Sequence, residues 1–329
     1  MSNMVQYGLW PDCSNSCDFC LLEHHGKVTS KEDKLLQLSD IIENIKTIDW
    51  KDKFSDGISL LGGELYHITD KDIQTEFLKL IDVIIEYVLL PNKNRGNLKC
   101  RYSTVTNGIY NSNFLFEVLD KISASVGINF IDLNFSYDLK YRFHNEMSRS
   151  LCIENINKVI NKYNYELGIQ MILTQNLIDS INSGEFNIDE FENTVCPGSK
   201  LCLLYPHPIH DGNVLDGFNF KRQSFLSFLL KEYNEHHRLI HDFILSLYHS
   251  GIYKYSGLYH KRHINDQYNI DKFNSHGGVN QPPILSDGKE VLMDCGHSVL
   301  YKCYADSDKC CLCDIENIFN EEMLELTNE

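Results

Sequence analysis

Three cysteines within eight residues, Cys13-Ser14-Asn15-Ser16-Cys17-Asp18-Phe19-Cys20, constrain this chain more than any other feature of its sequence. Thiols crowded this closely cannot form a useful set of mutual disulfides, but as thiolates they can converge on one metal centre. A structural zinc site takes four ligands, and a ferredoxin-type cluster takes four cysteines. The spacing here, three intervening residues and then two, leaves one iron of a cubane cluster without a protein ligand. An open metal position is the design of a site that acts on something bound there. A structural zinc loop, or a group of buried thiols, is the alternative for the same residues.

The first two-thirds of the chain reads as alternating strands and helices. Residues 5–10 form a short strand that delivers the cysteine loop. Leu35, Leu38, Ile41, Ile42 and Ile45 then share one face of a helix over 34–48. A strand at 57–61 ends in Gly62-Gly63-Glu64, and a helix over 73–90 aligns Phe77, Leu80, Ile81 and Ile84. The pattern continues with strands at 101–106, 130–136, 167–174 and 200–205, separated by helices at 113–122, 150–163 and 188–193. Six strands with intervening helices predict an α/β fold with a parallel sheet and right-handed crossovers. Several polar and glycine-bearing stretches fall just past strand C-termini, the edge at which parallel α/β barrels build their chemistry.

Taken in order, those stretches carry a resemblance. The CxxxCxxC loop with aromatic Phe19 before its last cysteine, then Gly62-Gly63-Glu64, Thr106-Asn107-Gly108 and Ser136-Tyr137-Asp138, resembles the radical S-adenosylmethionine (radical SAM) superfamily. The resemblance covers about the first two-thirds of the chain and identifies no subfamily. It implies a partial (β/α)6 TIM-like barrel in which Cys13, Cys17 and Cys20 hold a 4Fe-4S cluster. The unligated iron would bind the amino and carboxylate groups of S-adenosylmethionine, and an electron from the cluster would cleave its sulfonium carbon–sulfur bond. The resulting 5′-deoxyadenosyl radical would take hydrogen from a substrate that the sequence does not identify: a small molecule, a nucleotide or a peptide.

Site roles follow from the same resemblance. Gly62, Gly63 and Glu64 are expected at the methionine amino group, where glycines also let backbone approach a ligand closely. Ser136 and Asp138 are expected at ribose hydroxyls, with capping of the next helix as the structural alternative for Asp138. Phe19, Thr106 and Asn107 join the cofactor-binding set, although Thr106 and Asn107 also suit a turn ahead of Gly108. Arg142 could meet the methionine carboxylate or pair with Asp138 on a helix face. An external one-electron donor of flavodoxin or ferredoxin type is implied, as is oxygen sensitivity.

After about residue 216 the pattern changes, so the chain divides into a core domain at 1–215 and a helical, cysteine-rich extension at 216–329. A long helical stretch at 222–250 is followed by a Gly/His/Asn-rich connection, a strand at 290–293 and five cysteines. Cys310 and Cys313 form a CxxC pair that Cys295 with Cys303 or His297 could complete, giving a second metal site. Zinc or an auxiliary 4Fe-4S cluster would suit it, although no cysteine lies at the distance before Gly288 that the auxiliary pattern of the superfamily requires. His207 and His210, stiffened by Pro206 and Pro208, follow the sixth strand and are candidate substrate-facing residues. His237 and His241 lie at i, i+4 and read as a solvated helix face, while Cys100 and Cys152 read as inert core thiols.

Composition narrows the alternatives. With 329 residues, 43% hydrophobic, the chain can bury a substantial core. A net charge of −16 opposes general binding to duplex nucleic acid. Eight of the twelve cysteines crowd into the two terminal clusters, which suits metal-bound thiolates in a reducing compartment rather than a secreted disulfide scaffold. Residues 1–10 lack the character of a secretory signal and no apolar run reaches membrane-spanning length, so a cytoplasmic location is expected. The rival functional class is a non-enzymatic iron–sulfur or zinc protein in regulation or electron transfer. A methyltransferase without radical chemistry is disfavoured by the lack of a Gly-rich first strand-to-helix turn.

Overall fold

The computed structural model describes residues 4–15, 17, 28–50, 56–140, 142–143, 145–204, 220–249, 253–254, 291–292, 298–299, 313–315 and 317–318. Six strands, β1 (Met4–Gly8), β2 (Gly57–Leu61), β3 (Arg101–Thr106), β4 (Ile131–Tyr137), β5 (Leu167–Ile172) and β6 (Ser199–Leu204), form one sheet in chain order. Strands β1 to β4 pair in parallel, with Val5 opposite Ile58, Ile58 opposite Tyr102, and Thr104 opposite Leu133. The strand order places β1 and β6 at opposite ends, so among the described residues the parallel sheet is unclosed. This is the α/β arrangement expected of a partial barrel. Among the described residues no helix is long and apolar enough to cross a membrane.

By compactness the described residues form two units. The first holds those through Ile169 together with Cys196–Ser199; the second holds Gln170–Val195 and the remainder from Lys200 onward. The domain boundary expected near residue 215 lies outside the described residues.

In the first unit, helix α1 (Lys31–Thr47) buries Leu38, Ile41, Ile42 and Ile45, the stripe visible in the sequence. It starts three residues earlier than hydrophobic periodicity predicts because Ser30 caps it, accepting from the Asp33 amide. Asp70 does the same for α2 (Lys71–Ile84), which buries Ile73, Phe77, Leu80, Ile81 and Ile84. The single helix expected to Leu90 is instead α2, a π-helical turn (Ile85–Leu89) and α3 (Leu90–Asn94). Pro91 accounts for the widened turn, since it has no N–H for the preceding turn and its ring crowds that turn's carbonyls. Helix α4 (Asn113–Ser125) follows β3, and α5 (Glu146–Tyr163), capped by Asn145, follows β4.

In the second unit, α6 (Gln175–Ser183) is an element the sequence reading omits, although Thr174 caps it and Gly184 ends it at φ 78°. A short turn α7 (Ile188–Glu190) runs into a second π-helical segment (Phe191–Val195). The long helix expected at 222–250 is two, α8 (Arg222–Glu235) and α9 (His237–His249), broken at His236 with φ −132° and ψ 57°. A small antiparallel sheet pairs β7 (Tyr253–Lys254) and β8 (Val291–Leu292) with β9 (Ser298–Val299).

Candidate active site

The parallel ladder between β1 and β2 does not stop where the strands end. The Leu9 amide donates to Leu61 O at 2.7 Å, Gly63 N to Trp10 O at 3.0 Å, and Glu64 N to Asp12 O at 2.8 Å. These bonds lay Gly62-Gly63-Glu64 against the backbone that leads into Cys13. The approach is so close that a Cβ on Gly63 would stand 2.1 Å from Asp12 O and 2.3 Å from Pro11 O. Glycine at 63 is therefore required by the cysteine loop itself. The sequence predicts a close backbone approach to a ligand at these glycines; at Gly63 the close neighbours are the Asp12 and Pro11 carbonyls.

Glu64 is buried at the base of this contact. Its carboxylate accepts from the Tyr66 amide at 3.1 Å, from Thr106 Oγ1 at 2.9 Å to each oxygen, and from the Asn107 amide at 2.7 Å. It thus ties the end of β2 to the end of β3. Burial pushes the Glu64 carboxyl up to about 7, against the opposing pull of those three donors and of the Arg142 charge. Thr106 Oγ1 also lies 2.7 Å from the Tyr110 hydroxyl and accepts from the Gly108 amide at 3.2 Å. The Tyr110 ring stacks on Tyr66 at 6.4 Å, and the Tyr66 hydroxyl meets that of Tyr102 at 2.9 Å.

The Cys13 sulfur accepts two N–H donors, the Asn15 amide and the Asn107 side-chain Nδ2, each at 3.4 Å. Burial raises the Cys13 thiol above its ordinary value; Glu64 and Cys17 raise it further, and the two N–H donors oppose them. Cys17 is itself buried. The two thiols are close enough to resist joint ionisation, and a cation between them would relieve that repulsion. N–H groups aimed at sulfur suit a thiolate, so the donor set fits a metal–thiolate centre. Phe19 and Cys20 lie outside the described residues.

A clamp that sequence reasoning missed closes the base of the cysteine loop. Both Asp12 carboxylate oxygens lie 3.1 Å from the Thr29 amide, and Oδ1 accepts from Lys34 Nζ at 2.7 Å. Lys34 also sits 5.5 Å from the centre of the buried Trp10 ring. Burial alone would raise the Asp12 carboxyl, but the Lys34 ammonium and the Thr29 donors outweigh it and hold it below its usual range. The one sequence signal was an acid beside the first cysteine, with a lysine in the first turn of the next helix.

Direct contacts therefore unite Cys13, Glu64, Thr106 and Asn107. Ser136 and Asp138 stand at the end of neighbouring β4, where Asp138 is buried and its Oδ1 accepts from the Lys140 amide at 2.7 Å. The helix that follows is capped by Asn145, so Asp138 turns the chain rather than capping α5. Arg142 is half-buried, and its charge reaches Glu64 and Cys152. Cys100 and Cys152 are fully buried with thiols raised by burial, as expected of core residues.

Cys295, Cys303 and Cys310, with His207, His210 and His297, lie outside the described residues. Cys313 is half-buried and opens a short helical turn; Arg222 grips its neighbour Asp314 with two bonds of 3.1 and 2.8 Å. His237 is exposed and its ring stacks on His241 at 6.0 Å, as a helix-face pair would. Glu232, Glu235 and His236 bring ligand atoms within 4.8 Å of one another, but His236 Nδ1 is engaged by buried Glu232 at 2.6 Å.

No family model and no curated protein matches this sequence. Among solved structures, a histidine-tagged form of anSMEcpe with bound AdoMet is similar at 16% identity and a TM-score of 0.46, over 70% of this chain and 60% of that one. A second, native anSMEcpe with bound AdoMet, is similar at 14% identity and a TM-score of 0.45, over 71% and 60%. The chain thus spans 60% of the length of the protein it resembles. Likeness at this level assigns neither site nor ligand.

Proposed function

We propose that this chain is a radical SAM enzyme whose core, residues 1–215, holds a 4Fe-4S cluster on Cys13, Cys17 and Cys20. The observation that carries the reading is the meeting of Cys13 with Gly62-Gly63-Glu64 and Thr106-Asn107. Three motifs separated by up to 94 residues join at the C-terminal ends of adjacent parallel strands. When bound, the cluster supplies one-electron cleavage of S-adenosylmethionine and hence hydrogen abstraction from the substrate.

The chain's own residues prepare that site. The β1–β2 zipper and the Asp12 clamp fix both ends of the segment bearing Cys13. An amino group on the cofactor needs acceptors, so its binding falls to backbone carbonyls at Gly62 and Gly63. Glu64 serves underneath, its carboxylate held by Tyr66, Thr106 and Asn107. Ser136 and Asp138 serve the ribose and Arg142 the carboxylate end, and Phe19 belongs to the same cofactor-binding set. Reducing equivalents come from an external flavodoxin- or ferredoxin-type donor in the cytoplasm. The extension at 216–329 carries a second metal, zinc or iron–sulfur, on Cys295, Cys303, Cys310 and Cys313.

Protein reconstituted anaerobically with iron and sulfide, reduced with dithionite and given S-adenosylmethionine should release 5′-deoxyadenosine, and Cys17→Ala should abolish release. No release from wild type, or equal release from the variant, refutes the enzyme and leaves the regulatory or electron-transfer protein as the reading.

A further inference from the structure

We infer that Asn107 is a positioning residue for the metal centre: its side-chain N–H, aimed at the Cys13 sulfur, raises the reduction potential of a cluster bound there. This rests on the cluster proposed above and adds a residue that sets its properties through a ligand.

The orientation of the carboxamide decides the point. Asn and Gln side chains can be turned over without changing shape, so only their partners show which end is nitrogen. Here the Ile109 amide donates to Asn107 Oδ1 at 2.8 Å, which fixes that end as oxygen. The other end is then NH2, 3.4 Å from Cys13 Sγ. A flipped side chain would set two donors against each other at Ile109 and an oxygen against sulfur. The residue's position is fixed as firmly. Its own amide is held by Glu64 Oε2 at 2.7 Å, and Gly108 follows at φ +68°, where an added Cβ would meet the Phe135 ring at 2.7 Å. Asn155 Nδ2, fully buried on α5, holds the next stretch through Gly108 O at 2.8 Å and Tyr110 O at 2.9 Å. Both ends of the carboxamide are thus engaged, the oxygen by the turn and the nitrogen by the sulfur, and the turn alone requires only the first.

The consequence follows from charge. Reduction adds an electron to a cluster, and part of that charge resides on the cysteine sulfurs. A donor on sulfur therefore stabilises the reduced form more than the oxidised form, and the potential rises. Asn15 supplies a backbone donor to the same sulfur that no side-chain substitution removes, so among the described residues Asn107 is the donor a substitution can alter.

The test compares wild type with Asn107→Asp and Asn107→Leu at pH 8. Asp keeps the oxygen that accepts from Ile109 and replaces only the donor; Leu has similar size and neither function. Midpoint potentials from EPR-monitored redox titration should fall in the order wild type, Leu, Asp, with iron–sulfur stretching bands shifted in resonance Raman spectra. Should the Asp variant not retain its cluster, the lowered potential of Leu decides in favour. Potential and Raman bands unchanged in both variants that hold a cluster would overturn the inference and leave Asn107 a turn residue. Wild type that shows no cubane signal would overturn the proposed function as well, which separates the two failures.

Discussion

Replacing Gly63 with alanine tests the close contact on which the site depends. The new Cβ would lie 2.1 Å from Asp12 O and 2.3 Å from Pro11 O, where ordinary contact begins at 3.4 Å. Both neighbours are backbone, so the two chains must part by about 1 Å, a distortion that overpacking studies place at ~1–3 kcal/mol. Parting them also weakens the bonds from Gly63 N to Trp10 O and from Glu64 N to Asp12 O, at about 1 kcal/mol each. The sum is about 3–5 kcal/mol, which at ~2–4 °C per kcal/mol in a large chain lowers the thermal midpoint by roughly 10 °C. Gly96→Ala is the control. Its φ is +74° with nothing within 4 Å of the added Cβ, so it should cost only the ~1–2 kcal/mol of a left-handed L-residue. Differential scanning calorimetry and iron content after reconstitution would be measured together. Gly63→Ala should melt well below Gly96→Ala and take up less iron. If the two melt together and load equally, the packing argument is wrong.

Two further outcomes are expected. Glu64, with its folded value raised from 4.5 to about 7, contributes stability that is complete below pH 4.5 and is lost as pH rises through 7. Between pH 5 and pH 8 that loss is about 2–3 kcal/mol for metal-free protein, and Glu64→Gln should flatten it in urea melts at the two pH values; an equally steep loss in the variant counts against the assignment. The second metal should survive loss of the first, so a Cys13/Cys17/Cys20 triple Ala variant should still contain zinc or iron by elemental analysis, and a metal-free variant would end the two-site proposal.

Much of the framework was legible because its causes are local. The stripe Leu38, Ile41, Ile42 and Ile45 is a periodicity of contiguous residues, and α1 buries it. The strands β2, β3 and β6 lie within a residue of where the apolar runs placed them. The errors were local as well. Capping by Ser30 and Asp70 extends helices beyond their apolar stripes, Pro91 widens a turn, and α6 is announced by its Thr174 and Gly184 ends together with the buried stripe Leu177, Ile178 and Ile181. Gly62-Gly63-Glu64 and Thr106-Asn107 are visible as motifs in the sequence, but the bonds that join them are not.

Sequence alone determined the order of the six strands and the crowding of three thiols after the first of them, since both follow from residues adjacent in the chain. Tertiary structure decided which groups meet. Glu64 became a strut between β2 and β3, Gly63 a seat for the Asp12 backbone, and Asn107 a donor to a sulfur 94 residues away. Hydrogen-bond partners of that kind are set by strand register and by which polar atoms burial deprives of water, and neither exists until the sheet has formed.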